Sequence, residues 1–220
     1  MDDVDDVDKC RPRVLGLIAA AGASTRMGSP KALLPHDFHD AVVEDDGIAD
    51  CFVSHLVRAL AGGGADTVVV TVPDDAGSAA AIVDVVRRAS IDAVCLANPA
   101  PALGLTGSVI AALDHDDDAD VLVLCPVDAP FATPAIVAAL IAAVWAGADA
   151  AVITVDGVRG HPVAFGRGAF GALRLAGSRG GPRQVLDELD QVVAVPSTDR
   201  RLTLDLNSAA DLARSRQLSG

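Results

Sequence analysis

The chain has 220 residues, 51% of them hydrophobic, and a net charge of −13. That length and apolar content specify a globular domain with a full core and exclude a disordered chain. The acidic balance excludes binding to long nucleic acid, which needs a basic stripe to displace counterions, but it leaves room for a small anion held by a few cations in a cleft.

Residues 1–12 carry DDV twice in succession and read as a disordered acidic tail without the apolar segment of a signal peptide, so 13–220 forms a single domain. VLGLIAA (14–20) is a near-continuous apolar run of strand length. FVSHLVRAL (52–60) has helical periodicity and stops at the glycines of 62–64. DTVVVTV (66–72) is β-branched and predicts the second strand; SAAAIVDVVRRA (78–89) predicts an amphipathic helix. DAVCLA (92–97), GSVIAALDH (107–115) and VLVLCPV (121–127) predict a strand, a short helix and a fourth strand. Thr133 and Pro134 open the next helix as N-cap and first-turn proline, and Gly147 closes it.

Beyond residue 149 the pattern changes. DAAVITV (149–155) and HPVAFG (161–166) form a hairpin or tight connection around 156–160, short helices follow, and QVVAVP (191–196) and RLTLDL (201–206) read as further strands. NSAADLARSRQL (207–218) closes the chain as a helix capped by Asn207 or Ser208. Wholly apolar strands alternating with helices predict an α/β fold, a Rossmann-like three-layer sandwich with a mostly parallel sheet covered on both faces.

Cys10, Cys51, Cys95 and Cys125 form no C-x-x-C pair, and Cys95 and Cys125 sit in apolar strand runs as buried thiols. The longest apolar run, 135–148, is too short to span a bilayer. The expectation is a reduced, cytoplasmic protein with no membrane partner. His36, His39, His55 and His115 show no ligand spacing, and the acidic stretch 36–50 reads as a surface loop.

In an open parallel sheet, ligands bind beyond the carboxyl ends of the strands. The loop after the first strand, IAAAGASTRMGSPK (18–31), therefore draws attention. Gly16 in the strand before it and its own glycines, Gly22 and Gly28, fit neither the G-x-G-x-x-G dinucleotide fingerprint nor the G-x-x-x-x-G-K-[ST] phosphate loop. What remains is a small-residue loop, Ala20, Ala21, Gly22, Ala23 and Ser24, whose amides can approach a nucleotide, followed by the cations Arg26 and Lys31, a pair suited to a pyrophosphate leaving group. After the fourth strand, CPVDAP places Asp128 between two stiffening prolines, well set for Mg²⁺.

AAGASTRMGSPK resembles the L-A-A-G-x-S-x-R-M-G-x-x-K signature of the molybdenum cofactor nucleotidyltransferases, which have the glycosyltransferase-A-like nucleotidyltransferase fold. CPVDAP resembles that family's G-D-x-P metal loop, GVRGHPVAFGR (157–167) the G-x-x-G-H-P segment of its molybdopterin cytidylyltransferase branch, and LDLNSAADL (204–212) its closing D-I-D-T-P-E-D-L. The resemblance spans about 14–215 and implies a reaction: a phosphate nucleophile attacks the α-phosphate of a nucleoside triphosphate and pyrophosphate leaves. It implies Mg²⁺ on Asp128, catalytic charge neutralisation by Arg26 and Lys31, CTP as the nucleotide with Gly104 and Ser108 near its base, and His161 facing a phosphorylated acceptor such as molybdopterin. Handover of the product to a molybdoenzyme is implied as well.

Three departures from the family pattern bear on the acceptor and the metal, one being that 36–50 is longer and more acidic than the usual short link after the lysine. The metal loop reads PVD where G-D is usual, and Asn207 replaces the second aspartate of the closing motif. Asn207 is a neutral oxygen ligand, and Asp205, two residues earlier on the same face of the expected strand, is the other candidate. A sugar or polyol phosphate acceptor, or a non-catalytic nucleotide-binding module of the same fold, are the alternative readings.

Overall fold

The first apolar run becomes β1 (Val14–Ala19), in which every residue but the last is buried. A strand buried on both faces needs cover on both, and the computed structural model, which describes residues 11–22, 30–36, 50–89, 93–178 and 180–218, supplies it. Strands β2 (Thr67–Val72), β3 (Ala93–Ala97) and β4 (Val121–Pro126) run parallel to β1 in the order β3-β2-β1-β4. The crossovers are α1 (Phe52–Gly62), α2 (Ala76–Arg88) and α3 (Leu105–His115). Helix α4 (Pro134–Trp145) leads from β4 into β5 (Ala150–Val155).

Alternation along β1 divides the core. Val14 and Ile18 pack under α1, α2 and α4, whereas Leu15 and Leu17 pack under α3, α5 (Phe170–Leu175) and α6 (Pro182–Glu188). The result is three layers. Gly16 lets α1 approach closely, since a Cβ there would lie 3.0 Å from Leu60 Cδ1.

The second half reverses direction. β5 and β6 (Val158–Gly166) are joined by Asp156 and Gly157, both with positive φ, a two-residue hairpin turn of the kind that matches strand twist. β6 lies antiparallel between β4 and β5, and β7 (Val192–Pro196) pairs parallel with β5 at the edge. The hairpin turn is thus tighter than the 156–160 connection expected from sequence.

Several terminal signals hold. Thr133 Oγ1 accepts from the Ile136 amide, Pro134 occupies the first turn of α4, and Gly147 beyond its end has φ +112°. Ser208, not Asn207, caps the closing helix α7 (Ala209–Gln217), its Oγ accepting from the Asp211 amide. Residues 1–10 of the expected tail, with Cys10, lie outside the described residues, while Arg11 is ion-paired with Asp66. Cys125 is buried and its thiol is pushed up to about 12 by desolvation; Cys95 is half-buried rather than fully buried. Among the described residues no helix is long and apolar enough to cross a membrane.

One expected strand is absent. RLTLDL does not pair into the sheet: Arg200–Thr203 is a 3₁₀ turn and 204–207 is irregular. The apolar alternation there is genuine, but local bonds override it. Asp199 Oδ1 accepts from both the Arg201 amide and its Nε, which folds the chain at that point.

The junction of α1 with α4 gives a sharp test of packing. A Cβ on Gly63 would sit 2.4 Å from Val137 Cβ and 2.9 Å from the Pro134 carbonyl. Gly63→Ala is expected to destabilise the protein by about 1–3 kcal/mol, read as a lower urea midpoint.

Candidate active site

Strand order places β1 between β2 and β4, so the chain leaves β1 and β4 at the same end of the sheet, where an open α/β sheet forms a crevice. A cleft of about 850 Å³ lies there. Its floor is the loop after β1. The Ala20 amide donates to Thr71 O (3.1 Å) and the Val127 amide to Ala19 O (3.2 Å), which ties that loop to both neighbouring strands. Ala20, Ala21 and Gly22 line the cleft; Ala23, Ser24 and Arg26 lie outside the described residues.

The wall opposite comes from β3 and α3. Gly104 has φ +56° and ψ −127°, a conformation that favours glycine, and as N-cap it lets α3 begin at Leu105, two residues before the expected start at 107. Ser108 is buried in the first turns of α3, and its Oγ accepts from Thr71 Oγ1 at 2.8 Å. Gly104 and Ser108 both line the cleft. Asn98 was not anticipated from the sequence. Its Oδ1 accepts from the Ala100 amide (2.9 Å) and its Nδ2 donates to Gly104 O (3.2 Å), stapling the 98–104 loop that borders the cleft. Asp75 was missed too: it caps α2, and its hydrogen bonds from Ser78 hold its carboxyl below the usual carboxylate range. Both follow a strand end, so the rule that flagged 18–31 and Asp128 could have flagged them.

Charge converges at the mouth. The Lys31 ammonium donates to Asp128 Oδ2 (3.0 Å) and to Asn207 Oδ1 (2.8 Å). Three segments far apart in sequence thereby share one cation. The Leu206 amide donates to Asp128 O at 2.7 Å, which holds the irregular 204–207 segment against the loop after β4. The 3₁₀ turn just before that segment leans on β6. A Cβ on Gly160 would lie 2.2 Å from Leu202 O, so only glycine allows this approach.

Because β6 is antiparallel to β4, its early residues reach the cleft end of β4. That puts His161 within electrostatic range of Asp205 and Asp128. Burial pushes its imidazole below the ordinary value, and the two carboxylates oppose that shift without cancelling it. Its Nδ1 has no hydrogen-bond partner among the described residues. The shared strand face expected for Asp205 and Asn207 does not exist, because the segment is not a strand: Asn207 meets Lys31, whereas Asp205 acts on His161.

The family model described as the MobA-like NTP transferase domain matches residues 16–192. Rv0371c from Mycobacterium tuberculosis H37Rv is similar in structure at 23% identity and a TM-score of 0.70, with 94% of this chain and 98% of that chain covered. Its homologue from Mycobacterium sp. strain JC1 is similar at 29% identity and a TM-score of 0.63, with 95% and 98% covered. A nucleotidyl transferase from Methanothermobacter thermautotroptrophicus, Mth528, is similar at 19% identity and a TM-score of 0.70, with 94% and 97% covered. No curated protein matches by sequence.

The stapled wall of the cleft can be tested directly. A Cβ on Gly107 would meet Asn98 Oδ1 at 2.2 Å and Ala100 O at 2.4 Å, whereas one on Gly168 meets nothing within 4 Å. Gly107→Ala is expected to weaken nucleotide binding about tenfold or more in calorimetric titration, with Gly168→Ala unchanged.

Proposed function

Because the chain belongs to the MobA-like NTP transferase domain family and is a nucleotidyltransferase, we propose that it transfers a cytidylyl group from CTP to a phosphorylated acceptor of the molybdopterin type. Pyrophosphate is the second product. The observation that carries this reading is the Lys31 ammonium held between Asp128 Oδ2 and Asn207 Oδ1 at the mouth of the cleft.

That oxygen pair suits a divalent ion. It already binds one cation, at 3.0 and 2.8 Å, and both donors are the hard oxygens that Mg²⁺ prefers. Asp128 and Asn207 are the residues that would hold Mg²⁺, with Asp205 the further carboxylate nearby; bound there, the ion supplies charge neutralisation across the phosphates. Rv0371c has also been crystallised with manganese, at 22% identity to this chain, which supports a divalent ion in this fold.

The chain's own groups account for the rest. The backbone of Ala21 and Gly22 lies where the triphosphate enters, beside Ala20, and Arg26, in the same loop, is assigned to it from the sequence signature. Lys31 exchanges its carboxylate for the leaving pyrophosphate. The acceptor's phosphate oxygen forms a bond to the α-phosphorus as the α–β bridging P–O bond breaks, and the electron pair departs with pyrophosphate. The nucleophile is already an anion, so no general base is required. His161, neutral and with its Nδ1 uncommitted, faces the acceptor side and offers it a hydrogen bond. Ser108 and the Gly104 backbone stand beside the base. Structures of this fold include a CMP:2-keto-3-deoxy-manno-octonic acid synthetase complexed with CTP and a molybdopterin-guanine dinucleotide biosynthesis protein A from Archaeoglobus fulgidus, which supports this choice of nucleotide and of acceptor class. In this reading the product passes in the cytoplasm to a molybdoenzyme.

Pyrophosphate release from CTP with Mg²⁺ and molybdopterin tests the proposal. Lys31→Ala and Asp128→Asn are each expected to lower kcat by roughly 100-fold or more. Faster turnover of GTP would overturn the choice of base, and turnover of a sugar or polyol phosphate but not molybdopterin would overturn the acceptor. A chelator is expected to abolish release, with Mg²⁺ or Mn²⁺ restoring it.

A further inference from the structure

Outside the cleft, the fold assembles a group of side chains whose spacing in sequence is uninformative. Pro35 and Cys51 form an isolated antiparallel bridge, extended by the His36 amide donating to Asp50 O (3.0 Å) and the Phe52 amide to Leu34 O (3.1 Å). The bridge closes the neck of the 36–50 segment, of which 37–49 lie outside the described residues. One residue of the first turn of α1, His55, then lies against His36, their rings stacked at 3.7 Å between centroids.

The hydrogen bonds of the two rings fix their chemistry. His36 Nε2 lies 3.1 Å from Pro130 O, and His55 Nε2 lies 2.8 Å from Ala132 O. A carbonyl can only accept, so each Nε2 carries the proton and each Nδ1 presents a lone pair. A metal-bound histidine is oriented in this way, ligating through one nitrogen while the other donates to a backbone carbonyl. Burial supports the assignment, since it pushes both imidazoles down to about 4 and leaves them neutral near pH 7.

The carboxylate completes the set. Asp50 Oδ2 is 3.6 Å from His36 Nδ1 and is buried with no hydrogen-bond partner among the described residues, while Oδ1 is paired with Arg58. A buried carboxylate oxygen left without a donor is costly and calls for a cation. One ligand atom from each of His36, Asp50 and His55 falls within 4.8 Å of the others.

We propose that His36, Asp50 and His55 bind a divalent transition-metal ion of the Zn²⁺ class, at a site separate from the Asp128 cleft. Two imidazoles and one carboxylate favour such an ion over Mg²⁺, which prefers oxygen alone. Each lone pair lies in its ring plane, so the stacked rings splay apart as they take up a common ion. The ion pins the neck of the 36–50 segment. Through the two Nε2 bonds it also steadies the carbonyls of Pro130 and Ala132, two and four residues beyond Asp128.

Co²⁺ serves as the probe, in the full chain stripped with a chelator and assayed in excess Mg²⁺. An Asp128→Asn background removes the carboxylate of the cleft. The expected result is a visible d–d absorption band saturating at a single Co²⁺ per chain, retained in Asp128→Asn. In Asp50→Asn and in His55→Gln the band is expected to weaken, with affinity lower by about tenfold or more. Zn²⁺ is expected to quench the band by competition and to raise the melting temperature of the parent protein but not of Asp50→Asn. A band lost in Asp128→Asn, or one unchanged in both Asp50→Asn and His55→Gln, overturns the proposal. So does the absence of any band in the parent protein. Asp50→Asn is nearly isosteric, and its circular dichroism and melting temperature without metal establish that it folds.

Discussion

One ammonium group organises the mouth of the cleft. Lys31, Asp128 and Asn207 come from three distant segments, and they meet because the Lys31 side chain carries a charge that neither oxygen donor can supply. Without it, the Asp128 carboxylate and the Asn207 carbonyl oxygen would be two acceptors with no donor between them. The Leu206–Asp128 backbone bond fixes the separation, and the Gly160–Leu202 contact fixes it from the other side. The cation is therefore the keystone of the resting site, and also the group most easily surrendered to a phosphate. A lysine ammonium is a compact point charge with rotatable donors, so it can change partners without rebuilding the backbone around it.

The overall charge makes that exchange meaningful. A chain with net charge −13 repels a triphosphate at long range. Attraction has to be concentrated in the cleft, where low-dielectric walls strengthen each contact. Small residues at 20–22 allow close backbone approach, and a wall stapled by Asn98 keeps the opposite side from collapsing inward. The antiparallel β6 adds what a purely parallel sheet could not: a strand that begins, rather than ends, at the ligand side, and so delivers His161 beside Asp128.

How much of this the sequence revealed depended on the range of the interactions involved. β1, β2 and β4 were legible because a strand buried on both faces has to be apolar throughout, and loop 18–31 and Asp128 followed from their places at strand ends. The 201–206 segment misled, because its alternation is real while the Asp199–Arg201 bonds that turn the chain are too local to alter it. The place of Asn98 at a strand end was legible, but its stapling role was not, because its side chain bonds only to backbone whose course the tertiary fold sets. His36, Asp50 and His55 were hidden for the opposite reason. Their neighbourhood depends on a bridge between Pro35 and Cys51 and on carbonyls nearly eighty residues or more away in sequence.

Those carbonyls join the two halves of the molecule's polar chemistry. The loop after β4 offers Asp128 to the cleft and, a few residues later, Pro130 O and Ala132 O to the paired histidines. Between them Phe131 is buried and packs beneath the Arg201 guanidinium, 5.7 Å from the ring centroid to Cζ, so the turn before Asp205 and Asn207 bears on the same loop. A displacement of the loop cannot be confined to one of these contacts. Moving Pro130 or Ala132 enough to break an imidazole bond shifts Phe131 and, through the Leu206–Asp128 bond, changes the separation of the oxygens that hold Lys31. The rigidity of the cleft mouth is thus set partly by side chains that never face it. The neck of the acidic 36–50 segment is the point from which that rigidity can be altered without touching the nucleotide.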